Sequence, residues 1–336
     1  MDKETNFQRP NISIILPVYN VEKQLVKCLN SISNQEFSGT FEIIACEASS
    51  TDNSLALLKS YQEKEPRLKI IEHGYRAKLS TSRVTGINVS TGDYIMHVDS
   101  DDWLLPNAVE KLFQICLETN ADVVVFNYIN ETSEGKQSLS RNIKKKLITT
   151  DKLKVQHHFY GACWNKIVKR AMNENMIYSE IGITTSEDFP YSTEILLKAE
   201  KICLTTEPFY VYFKNTDSPA YSRTFKQFLN DQIVILNQLQ KIVFEYKANQ
   251  KYIGNTLNYF EKWIYLQLAK IHFWQKEKLG YDNNLIGKFS QFPILTNSRI
   301  KRLKLSIKYK YINLLEVTIR LGLKLTLGII RKSFKK

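Results

Sequence analysis

Short apolar runs alternate with amphipathic stretches between Ile12 and Tyr128, and this alternation predicts the fold of the first part of the chain. The apolar runs predict strands at 12–16, 41–46, 68–71, 94–98 and 123–128. The stretches between them have the apolar spacing of helices and predict Leu25–Ile32, Ser54–Lys64, Ser80–Val89 and Pro106–Leu117. Strands and helices that alternate in this way form a mostly parallel sheet between helices, so we predict an α/β fold.

The same pattern predicts where elements and regions end. Pro17 cannot donate to a sheet ladder and is predicted to end the first strand, and the polar, basic residues 131–146 are predicted to form an exposed loop. Farther along the chain, apolar residues recur at helical spacing, which predicts helices. We therefore divide the chain into an α/β domain at 1–222, a helical region at 223–298 and a basic tail at 299–336.

The positive charge of the chain is concentrated in this tail. The formal net charge is +13, and twelve basic residues from Arg299 to Lys336 stand against the single acid Glu316, which gives these 38 residues a charge of +11. Alternating apolar residues from Val317 to Ile329 fit a strand, whereas the basic residues fit one face of a helix. We favour the helix because an isolated apolar strand would be prone to aggregate.

A basic, apolar-rich tail without a full membrane span is typical of a segment that lies on an anionic membrane surface. Docking to another subunit and binding of an anionic polymer are the alternatives, and the sequence leaves the oligomeric state open. We do not expect nucleic-acid binding, because the charge is confined to 299–336 and the chain has no nucleic-acid reader motif.

Composition narrows the class of protein. Hydrophobic residues make up 43% of the chain, enough for a sizeable core, and the polar N-terminal residues predict no secretory signal. No run of about 18 uncharged apolar residues occurs, so no membrane span is expected. The five cysteines are an odd number without a C-x-x-C pair, which predicts buried, reduced thiols in a cytoplasmic protein. No H-E-x-x-H, Walker or G-x-S-x-G motif is present.

Three carboxylates stand within four residues at Asp99, Asp101 and Asp102, directly after the predicted strand 94–98. Ligands of α/β sheets bind beyond the carboxyl ends of the strands, so chemistry is expected at this position. Adjacent like charges are unfavourable unless they are solvated, cap a helix or hold a cation. The sequence is compatible both with a Mg²⁺ or Mn²⁺ site and with capping of the following helix by Asp101 or Asp102.

Four segments occur in one order and together resemble the family 2 glycosyltransferases, over a stretch from about residue 11 to residue 220. They are Ile14–Asn20, Ser50–Ser54, Ser80–Ile87 and Asp99–Asp102. The resemblance implies an inverting, non-processive enzyme with the GT-A fold, a Rossmann-like sheet sandwiched by helices. It also implies that Asp101 holds Mn²⁺ or Mg²⁺ on the diphosphate of a nucleotide sugar, and that Asp99 supports either the ribose or the ion.

The resemblance assigns further residues to the donor. Arg83 would face the nucleotide, and Pro17 and Tyr19 would line the pocket of the base. The family usually has two consecutive acids after the second strand, whereas this chain has Glu47-Ala48. One of the two carboxylates is therefore missing, and Glu47 alone remains on the donor side.

Two more motifs, Trp164-Asn165-Lys166 and Glu187-Asp188, resemble the W-N-K and E-D elements of the family. The resemblance implies that Asp188 is the general base, with Glu187 beside it, and that Trp164 and Tyr212 lie on the acceptor side. A Glu-Asp pair at the start of a helix is also common capping chemistry, which is the alternative for these two acids.

These assignments predict transfer of one sugar from a nucleotide-diphosphate sugar, with a UDP-sugar favoured, to a hydroxyl group of a cell-surface glycan, lipid-linked glycan or glycoprotein precursor. They place the protein in the cytoplasm, peripheral on the inner face of the cell membrane. The chain has no Q-x-x-R-W element, which argues against a polymer-extruding synthase. The alternative is a catalytically silent relative that acts as a binding or partner subunit. Retention of Asp99, Asp101, Glu187 and Asp188 argues against that alternative.

Overall fold

A computed structural model of the protein describes residues 10–140, 142–159, 162–178, 182–183, 186–214 and 225–260. The described residues form two compact units, one made of the residues up to 214 with Lys241–Tyr246, the other of the remaining residues from 225 to 260. The predicted boundary at 222 falls between described segments. The basic tail 299–336, and the predicted helical region beyond residue 260, lie outside the described residues.

The first unit contains strands and helices that alternate along most of its length. Its strands are β1 (Ile12–Val18), β2 (Phe41–Glu47), β3 (Leu68–Glu72), β4 (Tyr94–His97), β5 (Trp103–Leu104), β6 (Val123–Thr132), β7 (Gln137–Leu139), β8 (Leu147–Thr149), β9 (Lys166–Lys169) and β10 (Ile202–Lys214). Its helices are α1 (Glu22–Ser33), α2 (Ser54–Gln62), α3 (Leu79–Val89), α4 (Ala108–Thr119), α5 (Lys152–Phe159) and α6 (Asp188–Lys198). Each strand and helix predicted between Ile12 and Tyr128 is therefore present.

The strands form one sheet of order β3-β2-β1-β4-β9-β6-β10-β5, with β7 beside β6 and β8 beside β10. β1 pairs in parallel with β2 and β4, β2 with β3, and β6 with β10, whereas β9 runs antiparallel between β4 and β6. The predicted α/β fold with a mostly parallel sheet is confirmed. Because β1, β2 and β4 are parallel neighbours, the loops that follow them lie at one edge of the sheet.

Two helices show how the sheet is covered close to this edge. The predicted apolar face of α1, with Leu25, Leu29 and Ile32, is buried. On α3, a Cβ atom added to Gly86 would lie 2.4 Å from Cγ2 of Ile15, a separation that no side chain tolerates. The glycine therefore lets α3 lie directly against β1, and this close approach fixes the position of the helix.

Pro17 does not end the first strand, so that prediction is wrong. β1 continues to Val18, and Pro17 keeps its place in the register with β2. The Ile15 carbonyl accepts from the Val98 N–H on the β4 side, and the Val18 carbonyl accepts from the Ala48 N–H on the β2 side. Alternate residues of a strand bond to alternate neighbours, so Pro17 faces the β4 side beyond the last paired residue, where no N–H is needed.

Residues 131–146 are not simply an exposed loop. β6 extends to Thr132, and the chain turns back through Gly135 into β7, which pairs antiparallel with it. Farther on, Asn127 accepts from the N–H of Ile143 at 3.0 Å and donates to its carbonyl at 2.8 Å, which fixes the buried isoleucine. β7 is exposed and has too few apolar residues to show a strand period, so the pattern did not predict the hairpin.

Beyond residue 224 the described residues are mainly helical, as predicted. They comprise α7 (Phe225–Glu245) and a helical segment at 250–260. Over the part of the chain that the structure covers, no helix has both the length and the apolar character needed to cross a membrane. All five cysteines lie in described segments, and each is free and buried, as the sequence predicts.

Candidate active site

The loops after β1 and β2 are bonded to each other at the carboxyl edge of the sheet. Asn20 Oδ1 accepts from the Thr51 N–H at 2.8 Å, and the Asn20 N–H donates to Ser50 Oγ at 3.1 Å. Glu47 is buried, and its carboxylate accepts from the N–H groups of Ser49 at 2.9 Å and Ser50 at 2.6 Å. Glu47, predicted on the donor side, thus shapes the loop after β2.

Tyr19 and Pro17, predicted to line the pocket of the base, lie where β1 ends. Tyr19 is half-buried, and the guanidinium carbon of Arg76 lies 4.9 Å from the centroid of its ring. This separation is that of a cation–π contact. An exposed basic side chain from the loop after β3 therefore covers part of the Tyr19 ring.

Arg83 joins two acidic segments that are far apart in the sequence. Its side chain is only 3% exposed and projects from α3. Nη2 donates to Asp99 Oδ1 at 2.8 Å, and Nε donates to Glu187 Oε1 at 3.2 Å. Nη1 is buried and has no hydrogen-bond partner within the described ranges. One arginine therefore brings the acids after β4 and the acids at the start of α6 into a single site.

The acidic loop (Asp99–Asp102) follows β4, and its last carboxylate is fully buried. Asp102 accepts from the Tyr210 hydroxyl at 2.7 Å and from the Phe213 N–H at 2.7 Å, both on β10. Helix α4 begins at Ala108, after Asn107 at its N-cap position. The acids of the loop do not cap this helix, so the capping alternative is wrong for them.

Asp101 has the carboxylate of this loop that is available to a ligand. It is half-buried and is bonded to no other residue that the structure describes. Burial, and then the charge of Asp99, raise its pKa from 3.8 to about 6. Asp99 itself is partly exposed and has one oxygen on Arg83. An ionised Asp101 is thus unfavourable in the protein alone, as expected of a side chain that is placed to meet a cation.

The acidic loop fits a divalent ion only in part. Asp99 and Asp101 offer two carboxylates, and Mg²⁺ is commonly held by one or two carboxylates together with phosphate oxygens of a substrate. Asp102 does not fit, because both of its oxygens are already occupied. Among the described residues, no three histidine, cysteine or acidic side chains form a group that could hold a metal ion by themselves.

Glu187 and Asp188 stand at the start of α6. Glu187 occupies the N-cap position, but its side chain makes no capping bond and pairs with Arg83 instead, so the capping alternative is wrong for it. Burial, and then the charge of Asp188, raise the pKa of Glu187. Burial also raises the pKa of Asp188, while the charges of Arg83 and Lys166 act in the opposite direction. Both acids therefore hold a proton more tightly than exposed carboxyl groups do.

Lys166, in the W-N-K segment, is a buried cation close to this pair. Nζ donates to the Ala162 carbonyl and to Asn165 Oδ1, each at 2.7 Å, and burial lowers the pKa of the lysine to about 8. The sequence analysis identified the Trp164-Asn165-Lys166 motif but did not predict that Lys166 is buried. Its charge helps to keep Asp188 ionised.

Trp164 lies inside an aromatic cluster. Its ring stacks on Tyr210 at 4.6 Å between centroids and 13° between planes, and on Tyr212 at 5.4 Å and 11°. Trp164 is 7% exposed, and Tyr212 is half-buried. The resemblance to the family implied that Tyr210 and Tyr212 belong to a loop near the acceptor side. The structure instead places both residues in β10, where their spacing of two puts both rings on one face of the strand.

The chain is similar in sequence to known glycosyltransferases. Residues 13–195 match the profile of Glycosyl transferase family 2. The chain is 33% identical over 215 residues to the glycosyltransferase GlyA of Streptococcus pneumoniae serotype 4, covering 60% of this chain and 30% of that protein. It is 24% identical over 248 residues to TarP of Staphylococcus aureus, a poly(ribitol-phosphate) beta-N-acetylglucosaminyltransferase, covering 71% of this chain and 75% of that protein. The matches to the first three curated relatives span 30% to 62% of each relative's own length.

The fold is shared with a solved structure. Residues 1–349 of S. aureus TarS, crystallised in complex with UDP-GlcNAc, have a TM-score of 0.64 and 18% identity, with 93% of this chain and 92% of that chain covered. At this identity the likeness concerns the fold alone. It confirms the GT-A architecture that the motifs imply.

Proposed function

The chain belongs to glycosyl transferase family 2, and on this premise we propose that it is an inverting glycosyltransferase. It transfers one sugar from a UDP-sugar to a hydroxyl group of a cell-surface glycan, a lipid-linked glycan or a glycoprotein precursor. The observation that carries the proposal is the pair of bonds from Arg83 to Asp99 and Glu187, which unites a donor-side loop with a carboxylate pair suited to proton transfer.

In the proposed reaction Asp188 takes the proton of the acceptor hydroxyl onto a carboxylate oxygen. The acceptor oxygen forms a bond to the anomeric carbon while the bond from that carbon to the donor diphosphate breaks, and UDP leaves. Burial supports this role, because it raises the pKa of Asp188 and so makes its carboxylate a stronger base than an exposed one. A positioned base of this kind typically contributes about 10²–10⁴ to the rate.

Asp99 and Asp101 are the residues that would hold Mn²⁺ or Mg²⁺ together with the donor. When bound, such an ion offsets the negative charge that grows on the departing diphosphate. The carboxylate of Asp101, which has no partner in the part of the chain that the structure describes, supports this assignment. So does the occupation of Asp102 by Tyr210 and Phe213, which leaves the first two acids of the loop for the ligand.

The donor and acceptor classes draw support from the relatives. TarS, which shares the fold, was crystallised with UDP-GlcNAc, and TarP is named for transfer to poly(ribitol-phosphate). We place the base of UDP beside Pro17 and Tyr19, next to the loop that Glu47 shapes. We place the acceptor on the side of Trp164 and Tyr212, whose rings stack at 5.4 Å between centroids.

The tail 299–336 supports a place of action at the inner face of the cell membrane. Its charge of +11 would be attracted to an anionic leaflet by about 1 kcal/mol per basic residue near the surface. We expect the full chain to float with anionic liposomes and not with neutral ones. Removal of 299–336 or a higher salt concentration should abolish this binding to the liposomes. Flotation that does not depend on the tail would contradict this assignment.

The proposed activity is tested with purified protein, Mn²⁺ and a panel of nucleotide sugars, by measuring release of the nucleotide diphosphate with and without candidate acceptors. We expect turnover with a UDP-sugar, and loss of that turnover in Asp188→Asn. The matched control is Asp151→Asn, because Asp151 is a capping aspartate of α5 and asparagine also caps helices.

The outcomes separate the proposal from its alternative. Turnover in the wild type and in Asp151→Asn, with none in Asp188→Asn, supports the enzyme. Binding of UDP without turnover of any sugar would favour a silent binding subunit. Near-normal turnover in a folded Asp188→Asn protein would remove Asp188 from its role.

A further inference from the structure

The hydroxyl group of Tyr210 is bonded to both ends of the acidic loop. Its oxygen accepts from the Asp99 N–H at 3.0 Å, and its proton is donated to Asp102 Oδ2 at 2.7 Å. The loop also closes on itself, because the Asp102 N–H donates to the Asp99 carbonyl at 3.0 Å. A single phenol from β10 therefore holds the first and last residues of a four-residue turn.

The surroundings of Tyr210 keep this hydroxyl in one place. The side chain is fully buried, and Trp164 stacks on its ring. Burial, and then the charge of Asp102, raise the pKa of the phenol well above its usual value, so the hydroxyl keeps its proton and remains a donor. A fully buried side chain with only two side-chain torsions has little freedom to move away from the loop.

The bonds around the loop decide which carboxylate is left over. Asp102 is occupied on both oxygens, by Tyr210 and by the Phe213 N–H. Asp99 has one oxygen on Arg83. Between these fixed ends, Asp101 is the acid whose carboxylate is bonded to no other residue within the described ranges. The direction of Asp101 therefore depends on bonds made by its neighbours.

We propose that Tyr210 is a positioning residue for the divalent cation of the donor site. It acts through the backbone of Asp99 and the carboxylate of Asp102, and it holds Asp101 and Asp99 in the geometry that binds the ion. The inference rests on the proposed function, since it concerns the same ion. It adds a residue of β10, more than 100 positions away in the sequence, to the determinants of that site.

The test replaces Tyr210 with phenylalanine, which keeps the stacked ring and removes only the hydroxyl. Supporting residues around a metal ligand typically contribute about 10–100-fold to metal affinity. We therefore expect Tyr210→Phe to weaken Mn²⁺ binding at least about tenfold, measured by electron paramagnetic resonance of free Mn²⁺ in the presence of UDP. Tyr128→Phe is the matched control, because the Tyr128 ring contacts the same Trp164 ring at 4.7 Å but does not bond the acidic loop.

A second readout does not depend on any ligand. Hydrogen–deuterium exchange of peptides that cover 98–103 should become faster in Tyr210→Phe, because the Asp99 N–H loses its acceptor. Peptides from β1 and α1 should keep the wild-type rate. In Tyr128→Phe, only peptides that cover its own strand or its hydrogen-bond partner Asn142 should change. A merely structural role of Tyr210 would lower the thermal midpoint without changing Mn²⁺ affinity at a temperature where the variant is folded.

Each result has one meaning. Weaker Mn²⁺ binding with faster exchange confined to the loop supports the proposal, and unchanged Mn²⁺ affinity in a folded Tyr210→Phe protein overturns it. If Tyr210→Phe does not fold, Asp102→Asn is tested instead. The asparagine side chain has only one acceptor oxygen, so it can accept from the Tyr210 hydroxyl or from the Phe213 N–H but not from both. A wild-type protein that binds UDP and turns over a UDP-sugar without Mn²⁺ or Mg²⁺ would overturn this inference and leave the proposed transfer reaction standing.

Discussion

Replacement of Asp101 by asparagine should make the protein without metal more stable while it removes activity. Burial and the neighbouring Asp99 raise the pKa of Asp101 from 3.8 to about 6, so the native state binds the proton more tightly than the unfolded chain does. The stability that comes from protonation is fully present below pH 3.8 and is lost as the pH rises through about 6. At pH 7.5 the Asp101 carboxylate is ionised in the native wild type, so its full unfavourable free energy lowers the stability of the protein.

The magnitude follows from the two pKa values. Their difference corresponds to about 3 kcal/mol, since one pKa unit equals about 1.4 kcal/mol. Solvent reaches part of the Asp101 side chain and screens its charge, so we expect asparagine to recover about 1–2 kcal/mol. For a unit of this size, that gain raises the thermal midpoint by about 2–8 °C at pH 7.5.

The assay is thermal unfolding in EDTA at pH 7.5 and at pH 4.5. The stabilisation by Asp101→Asn should be present at pH 7.5 and should shrink at pH 4.5, where Asp101 is protonated in the native protein. Addition of Mn²⁺ with UDP should reverse the order, because a ligand stabilises only the protein that binds it. The control is Glu134→Gln, which removes an exposed carboxylate far from the acidic loop in sequence. An unchanged or lower midpoint for Asp101→Asn at pH 7.5 would refute the reasoning.

Four further results are expected. Asp188→Asn should lower kcat by about 10²–10⁴ with little change in the donor KM. Because burial raises the pKa of Asp188 and the base must be ionised, the wild-type rate should fall on acidification at a pH above the ordinary aspartate value of about 3.9. Trp164→Ala should lower the free energy of unfolding by about 3–5 kcal/mol in urea, because it removes the ring stacked on Tyr210. Gly86→Ala should lower stability by about 1–3 kcal/mol and reduce turnover, and a second change, Ile15→Ala, should restore part of the turnover because it removes the atom that the added methyl group meets.

A control variant accompanies each of the three substitutions, and a contrary outcome is defined for the expected results. Asp151→Asn, the control for Asp188→Asn, should leave kcat unchanged. A wild-type rate that does not depend on pH down to about 4 would show that Asp188 is not the titrating base. Leu117→Ala is the control for Trp164→Ala, because Leu117 is 54% exposed and its truncation should cost little stability. If Trp164→Ala lost no more stability than this control, the stacked rings would contribute nothing to stability. Val89→Ala is the control on the exposed side of α3, and a harmless Gly86→Ala would show that the helix can move away from β1.

The fold could be predicted wherever the apolar period was strong. β1, β2, β4 and β6 each contain a run of four or more buried residues, and their ends were placed to within a few residues. β5, β7 and β8 were missed because strands of two or three residues show no period, and β9 and β10 were not predicted either. Pro17 was misjudged because the sequence does not reveal that one side of β1 loses its neighbour before the strand ends.

The candidate site could be predicted by residue but not by contact. The motifs identified Arg83, Asp99 and Asp188, yet nothing local in the sequence indicates that Arg83 bonds both Asp99 and Glu187. Those bonds join positions 16 and 104 residues apart, and tertiary packing alone creates them. The role of Tyr210 was missed for the same reason, since its partners lie 108 and 111 residues earlier.

Gly86 links the candidate site to a buried contact between α3 and β1. Gly86 and Arg83 are three residues apart on α3 and so share one face of the helix. The depth at which that face meets Ile15 sets how far the guanidinium reaches towards its two carboxylates. The absence of a methyl group at position 86 thus sets the spacing of the candidate site, and a larger residue there would draw Arg83 away from Asp99 and Glu187 without altering either acid.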